Sequence, residues 1–215
     1  MGSSPTTGTN NKSTLSGAFI ITIRRQVSNT GNSAPERNLP RSHSPIRNMA
    51  RCALFAAMLS ICSWIAVPLP NISLTMQTFG VFLTLGLLGG KWGTVACLTW
   101  LALGAAGLPV FSGFRGGLGV LLGATGGYLW GFLAACLVYW AVTALFGDKL
   151  RLPAMLLGLL CCYGCGTLWY SFGYLNGAVS ILPALAQCVF PYLIPDAAKL
   201  FLAHRLTLRL AKFVR

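Results

Sequence analysis

Long stretches without a charged side chain constrain the fold of this chain more than any other feature of its sequence. Residues 92–146 contain a single charged residue, Arg115. A run of about 18 or more apolar residues is long enough to cross the hydrocarbon core of a bilayer as a helix. Only 9% of all residues are charged, whereas roughly a quarter are charged in soluble domains. The sequence therefore predicts an all-α integral membrane protein.

Hydropathy divides residues 49–215 into a membrane domain with six apolar segments, which we expect to form a bundle of six transmembrane helices. The segments cover about residues 50–67, 74–89, 92–108, 127–146, 153–174 and 182–215. Residues 108–126 form a glycine-rich connection between the third and fourth segments. That much glycine lets backbone approach a ligand closely, although a plain flexible loop would also tolerate it.

The basic residues in and just before the membrane domain are distributed unevenly between its two sides. If all six segments span, one side holds ten of them, namely Arg41, Arg47, Arg51, Lys91, Lys149, Arg151, Arg205, Arg209, Lys212 and Arg215. The opposite side holds Arg115. Because cytoplasmic loops are enriched in Lys and Arg, we expect both termini to be cytoplasmic in a multi-pass protein of the cell membrane. The glycine-rich loop then faces outward.

Residues 1–48 differ in composition from the rest, being rich in Ser, Thr, Asn, Pro and Arg with one acid, Glu36. Such a composition predicts a disordered, basic N-terminal extension. It is also compatible with an organelle transit peptide, or with a start assigned upstream of Met49. We favour an extension that is dispensable for function.

Scarce acids exclude several classes of function. The chain has three acids, of which Asp148 and Asp196 lie in the membrane domain, and two histidines. Paired-carboxylate hydrolysis and a histidine-rich metal site are therefore not expected, and we predict neither an enzyme nor a cofactor. The net charge of +13 does not indicate nucleic acid binding, since the basic residues sit at the ends of apolar segments. No phosphate-binding loop motif occurs, so any ATP must be used by a partner chain.

The spacing of the cysteines is only a weak indication of function. Cys162-Tyr-Gly-Cys165 has the C-x-x-C spacing of redox and metal sites. All eight cysteines lie in or beside apolar segments, and no second pair or nearby histidine completes a site. We interpret them as small residues that pack between helices.

Asp196 and Lys199 form the sharpest candidate site. Each costs about 2.5–3.5 kcal/mol to place at the centre of a membrane helix, so such residues usually serve a function. The i, i+3 spacing puts both side chains on one helical face. Pro191 and Pro195 precede them, and irregular backbone in a membrane is tolerated where it lines a cavity. The pair either binds a small polar ligand or locks the bundle as a structural ion pair.

Small residues mark a second surface on the first segment. Ala53 and Ala57 are four residues apart, a spacing that lets another helix approach closely. That helix belongs either to the same bundle or to a partner membrane protein.

Several sequence motifs follow one another in order along the membrane domain. They are Ala53-Leu-Phe-Ala-Ala57, Val67-Pro-Leu-Pro followed by Leu74-Thr-Met-Gln-Thr78, Leu103-Gly-Ala-Ala-Gly-Leu-Pro-Val-Phe111, Gly116-Gly-Leu-Gly119, Gly123-Ala-Thr-Gly-Gly-Tyr128, and Pro191-Tyr-Leu followed by Asp196-Ala-Ala-Lys199. Together they resemble the motifs of the BioY family, the biotin-specific substrate-binding (S) components of energy-coupling-factor (ECF) transporters, and the resemblance covers about residues 50–212. Ala124 stands where the family usually has Pro, and Ile194-Pro195 where it has Pro-Gly.

This resemblance implies six helices, capture of biotin from outside with high affinity, and a place for Asp196 and Lys199 near the ureido ring. It also implies that the face of Ala53 and Ala57 meets the transmembrane coupling protein of an ECF module, whose ATPase subunits use the ATP. The partners are then biotin, these subunits and the lipid bilayer.

Residue chemistry extends the predicted binding site beyond the ion pair. We expect a polar lining and an apolar wall from Thr75, Gln77, Thr125, Tyr128, Trp64 and Phe111. Arg115 is a candidate to bind the valerate carboxylate of biotin. Otherwise it is a solvated charge of the loop. Other functions stay open: an S component or stand-alone transporter for another small vitamin, a proton-coupled secondary transporter, or an assembly subunit.

Overall fold

A computed structural model of the protein describes residues 45–67, 73–174, 183, 185 and 189–214. Three predicted features lie outside these residues: the extension up to residue 44, the prolines of the Val67-Pro-Leu-Pro motif, and the start of the sixth segment at about residue 182.

Helices account for most of the described chain. They are α1 (Pro45–Trp64), α2 (Gln77–Ala105), the short α3 (Leu118–Leu121), α4 (Gly126–Phe146), α5 (Arg151–Leu168) and α6 (Phe190–Val214). A 3₁₀ turn, Asp148–Leu150, precedes α5, and a π-helical stretch, Trp169–Tyr174, continues it. Two short strands, β1 (Ala66–Val67) and β2 (Leu74–Thr75), pair in antiparallel orientation between α1 and α2.

Helix α1 begins at Pro45, four residues inside the predicted extension of residues 1–48. Proline favours the first helical position, because its missing N–H would have no helical partner there. The composition break near Met49 therefore lies within the first helix and not before it.

Helix α2 contains two predicted segments and reverses direction between them. Gly89 has φ 79° and ψ 172°, which is not helical. A Cβ atom built on Gly93 would lie 3.0 Å from Cα of Leu85, whereas residues eight apart in a straight helix are separated by about 12 Å. The chain thus folds back on itself at Gly89, where the sequence predicted a junction at Gly90-Lys91.

Close helix contacts at glycine hold the bundle together. A Cβ on Gly131 of α4 would lie 2.9 Å from the carbonyl oxygen of Cys162 on α5, and one on Gly158 of α5 would lie 3.1 Å from that of Ala135 on α4. Glycine and alanine here allow the backbones of α4 and α5 to approach closely, as small residues do between membrane helices.

The outer surface of the bundle is apolar. Leu54, Leu145, Leu160 and Ile194 are each more than half exposed. Within the described residues, three stretches are long and apolar enough to cross a membrane, Gln77–Ala105, Gly126–Phe146 and Asp148–Tyr174, and the first of them contains the reversal at Gly89. A surface of this kind suits lipid and would be unfavourable in water.

Several helix ends meet at one end of the bundle, together with their basic residues. Cys52, near the start of α1, donates to the carbonyl oxygen of Trp92, just after the reversal in α2. Gly90 packs against Trp140 near the end of α4, and Gly86 packs against Thr207 near the end of α6. Arg51, Lys91, Lys149, Arg205 and Arg209 therefore belong to this end.

Candidate functional site

A pocket lies between the glycine-rich loop and the helices, away from the basic end of the bundle. Its lining combines residues with polar side chains and residues with aromatic rings. The residues that line it are Ser73, Leu74, Thr75, Gln77, Thr78, Phe111, Ser112, Arg115, Val120, Thr125, Tyr128, Leu129, Phe132, Tyr163, Tyr192 and Asp196. Mostly apolar pockets with a few polar groups are typical of small-molecule sites.

Asp196 on α6 is the only acid in this lining and is 6% exposed. Its Oδ1 accepts a hydrogen bond from Nζ of Lys199 at 2.9 Å, and its Oδ2 accepts one from the hydroxyl of Tyr163 at 2.8 Å. A buried carboxylate is tolerated when it is paired and hydrogen-bonded in this way. The predicted i, i+3 pair is therefore present as a buried ion pair.

Lys199 also connects α6 to the short strand pair. Its Nζ donates to the main-chain carbonyl oxygen of Thr75 in β2, at 2.8 Å. An ammonium group has three protons, and Asp196 and Thr75 take two of them. Lys199 thereby ties Asp196 to β2 beside the pocket, although Lys199 itself is not among the residues that line it.

A chain of hydrogen bonds continues from β2 to α1. The hydroxyl of Thr75 donates to Oε1 of Gln77 at 2.9 Å, and Nε2 of Gln77 donates to the hydroxyl of Ser63 at 2.9 Å. Ser63 in turn donates to the carbonyl oxygen of Leu59. Gln77 is thereby held at the start of α2, against the pocket.

Helix α6 stays helical through Pro195, immediately before Asp196. Proline has no N–H and therefore leaves the carbonyl oxygen of the residue four positions earlier without its usual helical partner. Both prolines predicted to disturb this region are accommodated within the first turns of the helix, and Asp196 follows them into the pocket.

The glycine-rich loop forms a small hairpin that carries Arg115. The N–H of Phe111 donates to the carbonyl oxygen of Arg115 at 3.0 Å, and Nε of Arg115 donates to that of Ser112 at 3.1 Å. Gly113 and Phe114 occupy the left-handed region, with φ of 71° and 56°. This tight turn directs Arg115 to the rim, where it lines the pocket although it is exposed.

Three tryptophans on three different helical elements anchor the loop. Their indole N–H groups donate to main-chain carbonyls: Trp64 to Pro109 at 2.8 Å, Trp100 to Val110 at 3.2 Å, and Trp169 to Gly123 at 3.1 Å. The ring of Trp64 also stacks on Phe114, with centroids 4.9 Å apart. The loop is therefore fixed over the pocket by specific contacts and is not a plain linker.

Most residues predicted for the site come together in the structure. Seven of the nine line the pocket: Thr75, Gln77, Phe111, Arg115, Thr125, Tyr128 and Asp196. Lys199 joins them through Asp196. Trp64, predicted as an apolar wall, is not in this lining; its ring stacks on Phe114 of the loop hairpin, and its indole N–H donates to the carbonyl oxygen of Pro109.

Two aromatic residues of the site were missed from the sequence. Tyr163 and Tyr192 both line the pocket and are buried. Tyr163 lies inside the Cys162-Tyr-Gly-Cys165 motif, which we interpreted as packing, and Tyr192 lies in the Pro191-Tyr-Leu motif. The one available signal was spacing, since Tyr192 precedes Asp196 by four residues and shares its helical face.

Ala53 and Ala57 lie on an exposed face of α1. Ala56, between them in sequence, is 1% exposed and faces the core. The small-residue pair is therefore not used to pack α1 within the described part of the bundle.

Comparison with known families gives a match along most of the chain. Residues 33–215 match the BioY family, so the match begins upstream of the expected residue 50. The biotin transporter BioY of Thermotoga maritima is 36% identical over 172 residues, which cover 78% of this chain and 97% of that protein. A probable biotin transporter BioY of Pyrococcus horikoshii is 36% identical over 153 residues, 71% of this chain and 89% of that protein.

Among solved structures, the chain is similar to the S-component for biotin from an ECF-type ABC transporter. The TM-score is 0.69 at 26% sequence identity, and the alignment covers 78% of this chain and 92% of that one.

Proposed function

Since the chain belongs to the BioY family, we propose that it is the biotin-binding S component of an ECF transporter and serves biotin uptake. It captures biotin from outside and delivers it with an ATP-driven module. It is a transport protein and not an enzyme.

The observation that carries this proposal is the buried Asp196–Lys199 pair at the pocket. A cyclic urea has two N–H donors and one carbonyl acceptor. Each oxygen of Asp196 has a lone pair beyond the one used by Lys199 or Tyr163, and Lys199 has a third N–H beyond the two that bond Asp196 and Thr75. The pair can therefore accept from one ureido N–H and donate to the adjacent ureido oxygen, which matches one edge of the ureido ring of biotin. The aromatic rings of Phe111, Phe132 and Tyr128 offer apolar contact to its thioether ring and side chain.

We also propose the membrane arrangement that the charges favour. Six helical segments span the cell membrane, with the two halves of α2 counted separately. The basic end of the bundle is cytoplasmic, as are both termini. The pocket and its glycine-rich loop then open outward, the side from which a vitamin is captured.

The exposed face of Ala53 and Ala57 supports a contact with the coupling protein of the module. Small residues spaced by four let two membrane helices pack closely. The energy for release comes from ATPase subunits in the same complex. This division of labour agrees with the lack of a phosphate-binding loop in the sequence.

A single membrane-embedded acid argues against the second candidate, a proton-coupled secondary transporter. Such transporters carry relays of titratable groups through several helices. Asp196 is the one acid within the predicted spans, because Asp148 lies at a junction between helices. Transport of another small vitamin stays an alternative, which ligand competition separates from biotin transport.

Purification tests the function directly. We expect the isolated protein, purified in detergent from cells grown with biotin, to retain about one biotin per chain. Excess biotin should compete for the site, and other vitamins should not. Tight binding of a different vitamin, with biotin unable to displace it, would contradict the proposal.

Arg115 is proposed to pair with the valerate carboxylate from the rim of the pocket. Arg115→Ala should therefore weaken biotin binding more than binding of biotin amide, by roughly tenfold, the scale of a hydrogen bond to a charged group. Affinities of both ligands, measured by titration calorimetry, give the comparison. Equal losses of affinity for both ligands would show that Arg115 supports the structure of the loop and does not bind the carboxylate.

The N-terminal extension is proposed to be dispensable. A chain that starts at Ser44 keeps α1 whole and should take up biotin like the full chain. A chain that starts at Met49 loses the first turn of α1 but keeps Arg51, and we expect it to retain uptake as well. Uptake assays normalised to the amount of protein in the membrane test both. Loss of uptake in the Ser44 chain at normal levels would show that the extension has a role.

A further inference from the structure

Tyr163 holds the carboxylate of Asp196 from a neighbouring helix. Its hydroxyl on α5 donates to Oδ2 at 2.8 Å, across 33 residues of sequence. Both side chains are buried, and both line the pocket. A tyrosine hydroxyl has one proton, and Asp196 takes it. Toward a ligand, Tyr163 can therefore only accept a hydrogen bond.

The two oxygens of Asp196 are held from different directions. Lys199, on the same helix, occupies one lone pair of Oδ1, and Tyr163 occupies one lone pair of Oδ2. The terminal torsion of a carboxylate is otherwise broad, with little preference for one angle. Contact with Lys199 alone would fix one oxygen, whereas contact with both partners fixes the plane of the group.

We propose that Tyr163 is a positioning residue for the ligand: it sets the plane of the Asp196 carboxylate so that a free lone pair on one of its oxygens meets an N–H group of a cyclic urea. The inference rests on the proposed function. Acceptors that are already oriented bind without the entropic cost of ordering them. Removal of the hydroxyl should therefore affect recognition of the ureido nitrogens and leave recognition of the rest of the ligand unchanged.

The test compares three ligands in two proteins. Affinities are measured for biotin, for biotin methylated on both ureido nitrogens, and for biotin amide, in the unaltered protein and in Tyr163→Phe. We expect Tyr163→Phe to weaken biotin binding by roughly 10- to 100-fold. The penalty for methylation should become smaller in the variant, since the acceptors are no longer aligned. The penalty for the amide should stay the same.

Tyr139→Phe is the matched control. Tyr139 is a buried tyrosine on α4, 1% exposed, and is not part of the pocket lining. The Tyr139→Phe protein should bind all three ligands with the same affinities as the unaltered protein.

Two results would overturn the inference. One is an unchanged affinity for biotin in Tyr163→Phe. The other is a loss by the same factor for all three ligands, which would leave the methylation penalty intact and give Tyr163 a packing role. If the unaltered protein binds no biotin, the proposed function fails, and this inference fails with it.

Discussion

Replacing Asp196 by asparagine should weaken biotin binding by about 30-fold to several thousand-fold while the protein still inserts. Removing one member of a desolvated charge pair leaves its partner and the ligand groups unpaired, which costs about 2–5 kcal/mol, and each 1.4 kcal/mol corresponds to about a factor of ten. Lys199→Ala should have an effect of the same size. Equilibrium binding of labelled biotin to purified variants measures both.

The chain contains a suitable control for these variants. Asp148 and Arg151 form a second ion pair with the same i, i+3 spacing, at the junction before α5 and outside the pocket lining. Asp148→Asn should leave biotin affinity unchanged. Desthiobiotin, which retains the ureido ring, should lose affinity in parallel with biotin in the Asp196 and Lys199 variants. Normal biotin affinity in a well-inserted Asp196→Asn would make the pair a structural lock and remove it from the binding site.

Ala57→Trp should reduce biotin uptake by at least about tenfold and leave biotin binding to the isolated protein intact. A large side chain at the centre of a small-residue face keeps the partner helix away and removes its close packing. Uptake by cells that also express the energising module, together with co-purification of its subunits, measures the effect. Ala53→Trp should behave in the same way.

Ala141→Trp provides the comparison for the docking face. Ala141 is also an exposed alanine, but it lies on α4. Its substitution should leave both uptake and binding unchanged, since it faces lipid in the proposed arrangement. If Ala57→Trp supports uptake as well as Ala141→Trp does, the coupling protein docks elsewhere.

Local sequence patterns predict apolar helical segments and the charged groups that lie within them. Gly89 illustrates the first, because a glycine between two apolar segments can adopt the positive φ that a reversal requires. Asp196 and Lys199 illustrate the second, since charged residues within apolar segments are costly unless they are used.

Contacts between distant segments could not be predicted in this way. Tyr163 meets Asp196 across 33 residues, and the indole of Trp64 meets Pro109 across 45. Both contacts depend on how α5 and α1 are rotated against their neighbours, which the local sequence does not encode. Neither the contact of Tyr163 nor that of Trp64 can therefore be predicted from the sequence, although both residues are visible there as polar aromatics in apolar segments.

The bond from Lys199 to β2 has a consequence for mutational scanning and for sequence drift. Its acceptor is the main-chain carbonyl oxygen of residue 75, which is present whatever side chain stands there. Substituting each position in turn would show that biotin binding depends on Lys199. It would identify no side chain as the acceptor of this hydrogen bond, because the acceptor is a main-chain oxygen. The side chain of residue 75 can therefore change without removing that bond, whereas the bond to Oε1 of Gln77 needs the hydroxyl of Thr75.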